Sequence, residues 1–158
     1  MKSLVVYYSR DGSTKKVAEA LAKELGSDVE ELVDKKDRKG PLGYLMGGKD
    51  ATLKSLTDLG PLKYDPSAYE LVLVGTPVWS FTMAPAPRTY LTQMKGKIRK
   101  AAFFATCGGS GGDRACVQMG EVSGLKPIAT FVLREAEVKA GGYEAKVRGF
   151  SEGISRSL

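Results

Sequence analysis

Residues 3–25, SLVVYYSRDGSTKKVAEALAKEL, join an apolar strand to a helix through a turn rich in hydroxyl groups. Leu4–Tyr8 form one run of strand formers, and apolar residues recur at helical spacing from Val17 to Leu25. The turn between them is Ser9–Thr14. The first N–H groups of a helix have no partner within it and carry partial positive charge. The stretch therefore predicts a strand, an anion-binding turn and a helix, with phosphate as the ligand of the turn.

The composition is that of an ordinary globular protein with an unusual lack of one residue type. The chain has 158 residues, a formal net charge of +6, two cysteines and no histidine. Its length predicts one domain over residues 1–158 with a substantial core. The lack of histidine excludes His-based triads and His-ligated metals, and two cysteines do not make a disulfide framework. We expect a cytoplasmic protein without membrane insertion, because no run is long and apolar enough and no signal sequence is recognisable.

The basic residues are scattered along the chain, which matters for the choice of partner. Nucleic-acid-binding proteins usually group basic residues with aromatic residues or in a known motif, and neither arrangement is present here. The charge pattern therefore argues against nucleic acid and favours attraction to an acidic protein partner.

Apolar runs alternate with helical patterns along the rest of the chain. This alternation predicts an α/β fold, in which a parallel sheet carries helices on both faces. The third strand, YELVLVGTPVW, is expected to end at Gly75, Thr76 and Pro77, and Asp113 is expected to cap a helix. The predicted strands are 2–8, 28–32, 69–74, 100–106 and 125–133, and the predicted helices are 13–25, 84–94, 113–122 and 143–154, with a further short helix within 42–53.

Three unusual loops follow apolar strands: SRDGST at 9–14, GTPVWSFTM at 75–83 and TCGGSGG at 106–112. The carboxyl ends of parallel strands lie at one edge of a sheet, where ligands of this class of fold bind. We therefore expect all three loops at that edge. They are called the first, second and third loop below.

Each loop has a functional and a purely structural interpretation. The first loop offers hydroxyl groups and Gly12 to a terminal monophosphate, or it is a plain capping turn with Ser13 or Thr14 as N-cap. The second loop places Trp79 near the surface, where it stacks on a planar ligand or covers the sheet edge. The third loop, with four glycines in six positions after Thr106, presents backbone groups to a ring edge or is a flexible connector.

Together the three loops resemble those of the flavodoxin family in order and spacing. The first resembles its phosphate loop, GTPVW its second loop beside the flavin, and TCGGSG its third loop at the pyrimidine edge. The segment GPLGYLMGGKDA, residues 40–51, is similar to an insert of a short-chain branch of that family. The resemblance implies a five-stranded parallel sheet in the flavodoxin-like order 2-1-3-4-5, with helices on both faces and FMN as cofactor.

The resemblance also implies which residues contact FMN. The first loop would hold the phosphate, the second would pack beside the isoalloxazine with Trp79 stacking on it, and the third would contact the other ring edge. The positions are Ser9, Arg10, Asp11, Gly12, Ser13 and Thr14 in the first loop, Pro77, Val78, Trp79 and Ser80 in the second, and Thr106, Cys107, Gly108, Gly109, Ser110 and Gly111 in the third.

Two features depart from the family pattern. Asp11 stands where the family often has threonine or serine, and its carboxylate would repel a phosphate unless it turns outward or pairs with Arg10. The chain is basic, whereas electron-transfer flavodoxins are commonly acidic, which argues against docking onto a basic reductase.

Competing motifs are weaker. Gly43–Lys49 reads G-x-x-x-x-G-K, but Asp50 replaces the hydroxyl residue and no apolar strand precedes it, so a Walker A loop is rejected. A phospho-receiver domain is rejected because Gly75 and its neighbours replace the aspartate that would end the third strand. Cys107 and Cys116 are expected to be packing thiols.

Three functions remain open at this point. The first is a one-electron carrier, in which FMN shuttles electrons between redox protein partners. The alternative is an FMN-dependent NAD(P)H:quinone-type oxidoreductase, and a third is a relative that has lost tight FMN binding through Asp11. The short chain without an obvious nicotinamide site favours the carrier.

Overall fold

A parallel sheet forms the centre of the molecule. The computed structural model describes residues 1–36, 40–52 and 55–158. The strands are Ser3–Tyr7 (β1), Asp28–Glu31 (β2), Leu71–Trp79 (β3), Thr82–Met83 (β4), Ala101–Cys107 (β5) and Thr130–Arg134 (β6). All but β4 pair in parallel in the order β2-β1-β3-β5-β6. This confirms the predicted order 2-1-3-4-5, with β4 as an additional strand paired to β3.

Helices cover both faces of this sheet, as predicted. Val5 and Tyr7 of β1 belong to one hydrophobic core, and Leu4 and Val6 belong to the other. The sequence of β1 is a continuous apolar run from Leu4 to Tyr7 because both faces of this strand are buried. The helices are Ser13–Leu25 (α1), Gly40–Thr52 (α2), Pro85–Gln93 (α3), Gly112–Ser123 (α4), Glu135–Ala140 (α5) and Glu144–Ser157 (α6), with a short 3-10 turn at Pro66–Ala68.

Each helix contributes to one of the two cores, which shows which face of the sheet it covers. α1, α5 and α6 supply the core that contains Val5, whereas α3 and α4 supply the core that contains Leu4. α2 contacts α3 and β3. Among the described residues, no helix is both long and apolar enough to span a membrane.

Several predicted element boundaries are confirmed. α1 has the predicted bounds, and Gly26 ends it in the left-handed region at φ 64°. α3 follows Ala84 as predicted. The predicted helix within 42–53 corresponds to α2, although Leu53 lies outside the described residues.

The third strand does not end at Gly75–Pro77, where the sequence pattern places its end. β3 continues to Trp79, and Pro77 pairs in register with Thr106 of β5. The pairing of β1 with β3 stops at Gly75, so Pro77 lies where β3 no longer has β1 as a neighbour. Proline is tolerated at such an edge because no neighbouring strand on that side requires a hydrogen bond from the N–H group that proline lacks.

β3 turns back into β4 through a tight hairpin that the sequence does not reveal. Ser80 and Phe81 form its two-residue turn, and both have positive φ, at 50° and 64°. Such turns usually use Asn-Gly, because L-residues with larger side chains rarely adopt this region. Ser-Phe carries no such signal, so local patterns do not predict this strand pair.

Two boundaries and one short helix in the C-terminal half differ from the prediction. Asp113 does not cap α4, because Gly111 is the N-cap at φ 96° and Asp113 lies in the first turn. β6 begins at Thr130 rather than at Leu125, whose N–H donates to the Gly120 carbonyl at the end of α4. The prediction also lacks α5, a helix of only six residues.

Gly75 lies where the sheet has no room for a side chain. A Cβ there would overlap the ring of Phe104, which is fully buried on β5. We expect Gly75→Ala to lower the free energy of unfolding by about 3 kcal/mol, because a close-packed core relaxes poorly around added volume. Chemical denaturation measures the loss.

Gly149→Ala is the matched control for this substitution. Gly149 is exposed on α6, and a Cβ there would meet nothing within 4 Å. This variant should be neutral or more stable by up to about 1 kcal/mol, since alanine favours helix. Equal losses in the two variants would contradict the packing argument.

Candidate functional site

The first loop leaves the start of α1 without a hydroxyl cap. Gly12 is the N-cap, at φ 103°, and has no side chain to bond the helix. Ser13 and Thr14 both lie inside the helix, so the interpretation of either residue as N-cap is wrong. Glycine at this positive φ lets the chain turn tightly and keeps the first helical turn accessible to an anion.

Two side chains of the first loop bond its own backbone. The Gly12 N–H donates to Ser9 Oγ at 3.1 Å, and the Ser13 N–H donates to Asp11 Oδ1 at 3.4 Å. Asp11 is exposed. Its carboxylate nevertheless accepts from an N–H group that a bound anion would also attract, so it does not turn away from the loop, as one of the two expected solutions required.

Arg10 does not turn to Asp11. Its guanidinium carbon lies 4.8 Å from the ring centroid of Trp79 and 4.8 Å from that of Tyr44. Cation–π attraction at this distance holds the charge over the aromatic rings. The second expected solution, an Arg10–Asp11 pair, is therefore not the arrangement in this structure.

A buried hydrogen bond joins the first loop to the third. Thr14 Oγ1 and Thr106 Oγ1 are 2.7 Å apart, and both residues are buried. Thr106 pairs in register with Pro77, so the second loop begins beside this contact. The predicted meeting of the three loops at one sheet edge is confirmed.

Trp79 is the last residue of β3 and is only 6% exposed, so the expectation of a surface loop is wrong. Its ring meets Tyr8 edge to face at a centroid distance of 5.6 Å. α2 also lies against it, because a Cβ on Gly47 would be 2.9 Å from two of its ring atoms. Trp79 is thus fixed by neighbours, with Arg10 over its ring.

The third loop combines open glycines with a tight contact. A Cβ on Gly108 or Gly109 would meet nothing within 4 Å, so the backbone there is accessible. A Cβ on Gly111 would be 3.0 Å from Val78 Cγ1 and from Phe81 Cα. The third loop therefore packs closely on the second, which argues against a flexible connector.

Both cysteines are buried thiols. Cys107 belongs to β5, rather than to the loop, and is 2% exposed. Burial raises the pKa of Cys107, and it raises the pKa of Cys116 to about 12. Both stay protonated at neutral pH, which agrees with packing rather than nucleophilic chemistry.

A pocket of about 500 Å³ opens between the loops. Its walls combine an aromatic ring, open backbone and two opposite charges. The lining residues are Arg10, Tyr44, Gly48, Val78, Trp79, Ser80, Gly108 and Glu135.

The remaining predicted positions are not among the residues that line this pocket. A second open pocket, of about 890 Å³, includes Cys107, Gly109, Ser110 and Gly111. Ser9 and Asp11 precede α1, Gly12 is its N-cap and Ser13 and Thr14 are its first residues, whereas Pro77 and Thr106 pair across β3 and β5.

Comparison with solved structures identifies the fold. The chain is similar to a flavoprotein from Lactobacillus acidophilus crystallised with FMN, with 28% identity over 95% of this chain and 98% of that one and a TM-score of 0.71. It is also similar to oxidised flavodoxin 2 from Bacillus cereus, with 15% identity, full coverage of both chains (100%) and a TM-score of 0.60. A WrbA-like flavodoxin from Agrobacterium tumefaciens is 13% identical, over 99% of each chain, with a TM-score of 0.55.

The chain has the flavodoxin-like α/β fold. No protein-family model matches its sequence, and no curated protein is similar to it at a significant level. The flavodoxin-like assignment therefore rests on structure and on the loops.

Three residues of this flavodoxin-like pocket are not among the positions predicted from the sequence. Tyr44 and Gly48 come from α2, a segment whose position no local pattern determines. Glu135 directly follows β6. The predicted end of this strand at Leu133 is one residue from the observed end at Arg134, so the rule that ligands bind at the carboxyl ends of strands is sufficient to find Glu135.

The hydroxyl pair across the first and third loops can be tested by a double-mutant cycle. Thr14→Val or Thr106→Val alone should lower the free energy of unfolding by about 1–2 kcal/mol, because each leaves the other hydroxyl buried without its partner. The double variant should lose less than the sum of the two. Denaturant unfolding of the four proteins measures the coupling, and strictly additive losses would contradict it.

Proposed function

We propose that this chain binds FMN and serves as a one-electron carrier between redox proteins. The observation that carries this proposal is the open pocket that the three loops share, to which Arg10 contributes two residues before Gly12, the N-cap of α1. The N–H groups at a helix start suit a phosphate, and an aromatic wall with open backbone suits a planar heterocycle. The residues present therefore fit FMN.

In this proposal the first loop binds the phosphate end of the ligand. Ser9, Gly12, Ser13 and Thr14 offer hydroxyl and N–H groups at the positive end of the α1 dipole. Asp11 reduces this attraction, since its carboxylate already contacts the Ser13 N–H. Arg10 belongs to the ring end, since its charge lies over Trp79.

The second and third loops bind the ring end of the ligand. Val78, Trp79 and Ser80 form one wall, and the backbone at Gly108 forms another. Pro77, Thr106, Cys107, Gly109, Ser110 and Gly111 complete the set of proposed cofactor-binding residues. FMN supplies the electron-transfer chemistry when bound, whereas the protein sets its potential and its exposure.

The charge of the chain favours an acidic redox partner. A net charge of +6 attracts a negatively charged protein surface and speeds encounter at low ionic strength. The exposed ring of Phe81, which is 60% accessible, stands at the hairpin tip within the second loop. A partner that docks there comes close to the pocket.

One observation favours the alternative of an NAD(P)H:quinone-type oxidoreductase. The pocket of about 890 Å³ beside the third loop also includes Arg114 and Arg134, which could receive the phosphates of a nicotinamide cofactor. Asp113 and Glu137 line the same pocket and weaken that attraction. The carrier remains the better-supported proposal.

FMN binding and the choice between carrier and reductase can be tested in one preparation. Added apoprotein should quench FMN fluorescence with one-to-one stoichiometry, because the ring enters a pocket with Trp79. Anaerobic reduction of the loaded protein should then proceed in two separate one-electron steps, with slow bleaching by NADH or NADPH. Unquenched FMN would rule out the cofactor, whereas rapid bleaching with turnover of a quinone would establish the reductase.

Removing the charge of Asp11 should strengthen FMN binding. We expect Asp11→Asn to raise FMN affinity about fivefold at low salt, because phosphate carries roughly two negative charges and the asparagine retains an acceptor for the Ser13 N–H. Fluorescence titration measures the change. At about 1 M salt, where the screening length falls to about 3 Å, the gain should nearly vanish.

Two controls make the Asp11 prediction specific to the phosphate. Riboflavin, which lacks the phosphate, should bind Asp11→Asn and the unmodified protein equally. Glu121→Gln removes an exposed carboxylate from α4 and should change neither affinity. Equal gains for FMN and riboflavin would contradict the phosphate assignment.

A further inference from the structure

Two opposite charges line the pocket beside Trp79. Arg10 comes from the first loop, and Glu135 begins α5 at the end of β6. Among the residues that the structure describes, no ion pair joins them. Each charge can therefore act on a ligand in the pocket without being neutralised by direct contact with the other.

The position of Arg10 separates it from the rest of the first loop. Ser9 and Asp11 bond the backbone of the turn, and the Thr14 hydroxyl bonds that of Thr106. The guanidinium instead lies 4.8 Å from the centroids of Trp79 and Tyr44, and both of these residues line the pocket. Its charge stands at the ring end of the pocket, where water is partly excluded and electrostatic interactions are stronger than in bulk.

We propose that Arg10 makes this pocket bind anionic reduced flavin in preference to neutral oxidised flavin, and that Glu135 opposes this preference. The inference rests on the proposed function, namely that the pocket holds the flavin ring. It assigns Arg10 to the ring rather than to the phosphate, and it assigns Glu135 a role in the site.

The chemistry follows from the charge balance of the ring. Two electrons, supplied in the test by dithionite, and one proton convert the neutral oxidised ring into a reduced ring with one negative charge. A cation beside the ring stabilises the product of this reduction and leaves the neutral reactant almost unaffected, and a carboxylate does the reverse. The two residues therefore shift the potential of the bound flavin in opposite directions.

The experiment compares Arg10→Gln and Glu135→Gln with the unmodified protein. Fluorescence titration gives the affinity for oxidised FMN. Redox dyes give the midpoint potentials of bound and free FMN. The difference between these potentials gives the affinity for reduced FMN by linkage. We expect Arg10→Gln to lower the ratio of reduced to oxidised affinity about tenfold, which equals a fall of about 30 mV for a two-electron couple. Glu135→Gln should raise the same ratio.

Three further arms test whether the charge of Arg10 acts on the flavin ring itself. Arg10→Lys keeps the positive charge, on which the effect depends, and should preserve the ratio within about threefold. Lys23→Gln removes an exposed cation from the last turn of α1 and should leave the ratio unchanged. Riboflavin should show the same effect of Arg10→Gln as FMN, since it carries the same ring without the phosphate. Circular dichroism checks that each variant is folded.

The outcomes distinguish failure of the inference from failure of the proposed function. If FMN binds tightly but Arg10→Gln weakens oxidised and reduced flavin equally, Arg10 holds the phosphate and the inference is wrong. If Lys23→Gln changes the affinity ratio as much as Arg10→Gln does, the effect comes from the net charge of the protein and not from the position of Arg10. That result would also overturn the inference. If the unmodified protein binds no oxidised FMN, the proposed function fails and the inference fails with it.

Discussion

The parallel pairing of β1, β3 and β5 is the constraint on which the rest of this structure depends. Parallel strands point their carboxyl ends the same way, so three loops far apart in the chain must lie along one edge of the sheet. Because helices cover both faces, that edge is where strand ends remain open to a ligand. The bond between the hydroxyls of Thr14 and Thr106 then holds two of these loops together.

Close packing determines which of the loop residues remain accessible. Gly111 allows the third loop to lie against Val78, and Gly47 allows α2 to lie against Trp79. The aromatic ring becomes a rigid wall, whereas the backbone at Gly108 stays open. The pocket is thus built on strand ends and tight contacts, so its walls are largely preformed.

Electrostatics divides the site into two ends with different balances of charge. At the helix end, the partial positive charge of α1 is offset by Asp11, which bonds the Ser13 N–H. In the pocket beside Trp79, Arg10 and Glu135 form part of the same lining with opposite charges. Sequence proximity alone suggests that Arg10 neutralises Asp11. The attraction of a guanidinium to two aromatic rings outweighs that pairing, since an exposed ion pair stabilises a fold only weakly.

The sequence by itself determined the alternation of strands and helices, the bounds of α1, the stop at Gly26 and the three loops. These depend on local periodicity and on the conformational freedom of glycine, which neighbouring residues reveal. Only the tertiary structure decided that Trp79 is buried, that Ser80 and Phe81 form a hairpin turn, and that Glu135 reaches the pocket. Burial, strained turns and the meeting of distant side chains depend on packing between segments that are remote in sequence, and local patterns carry no record of it.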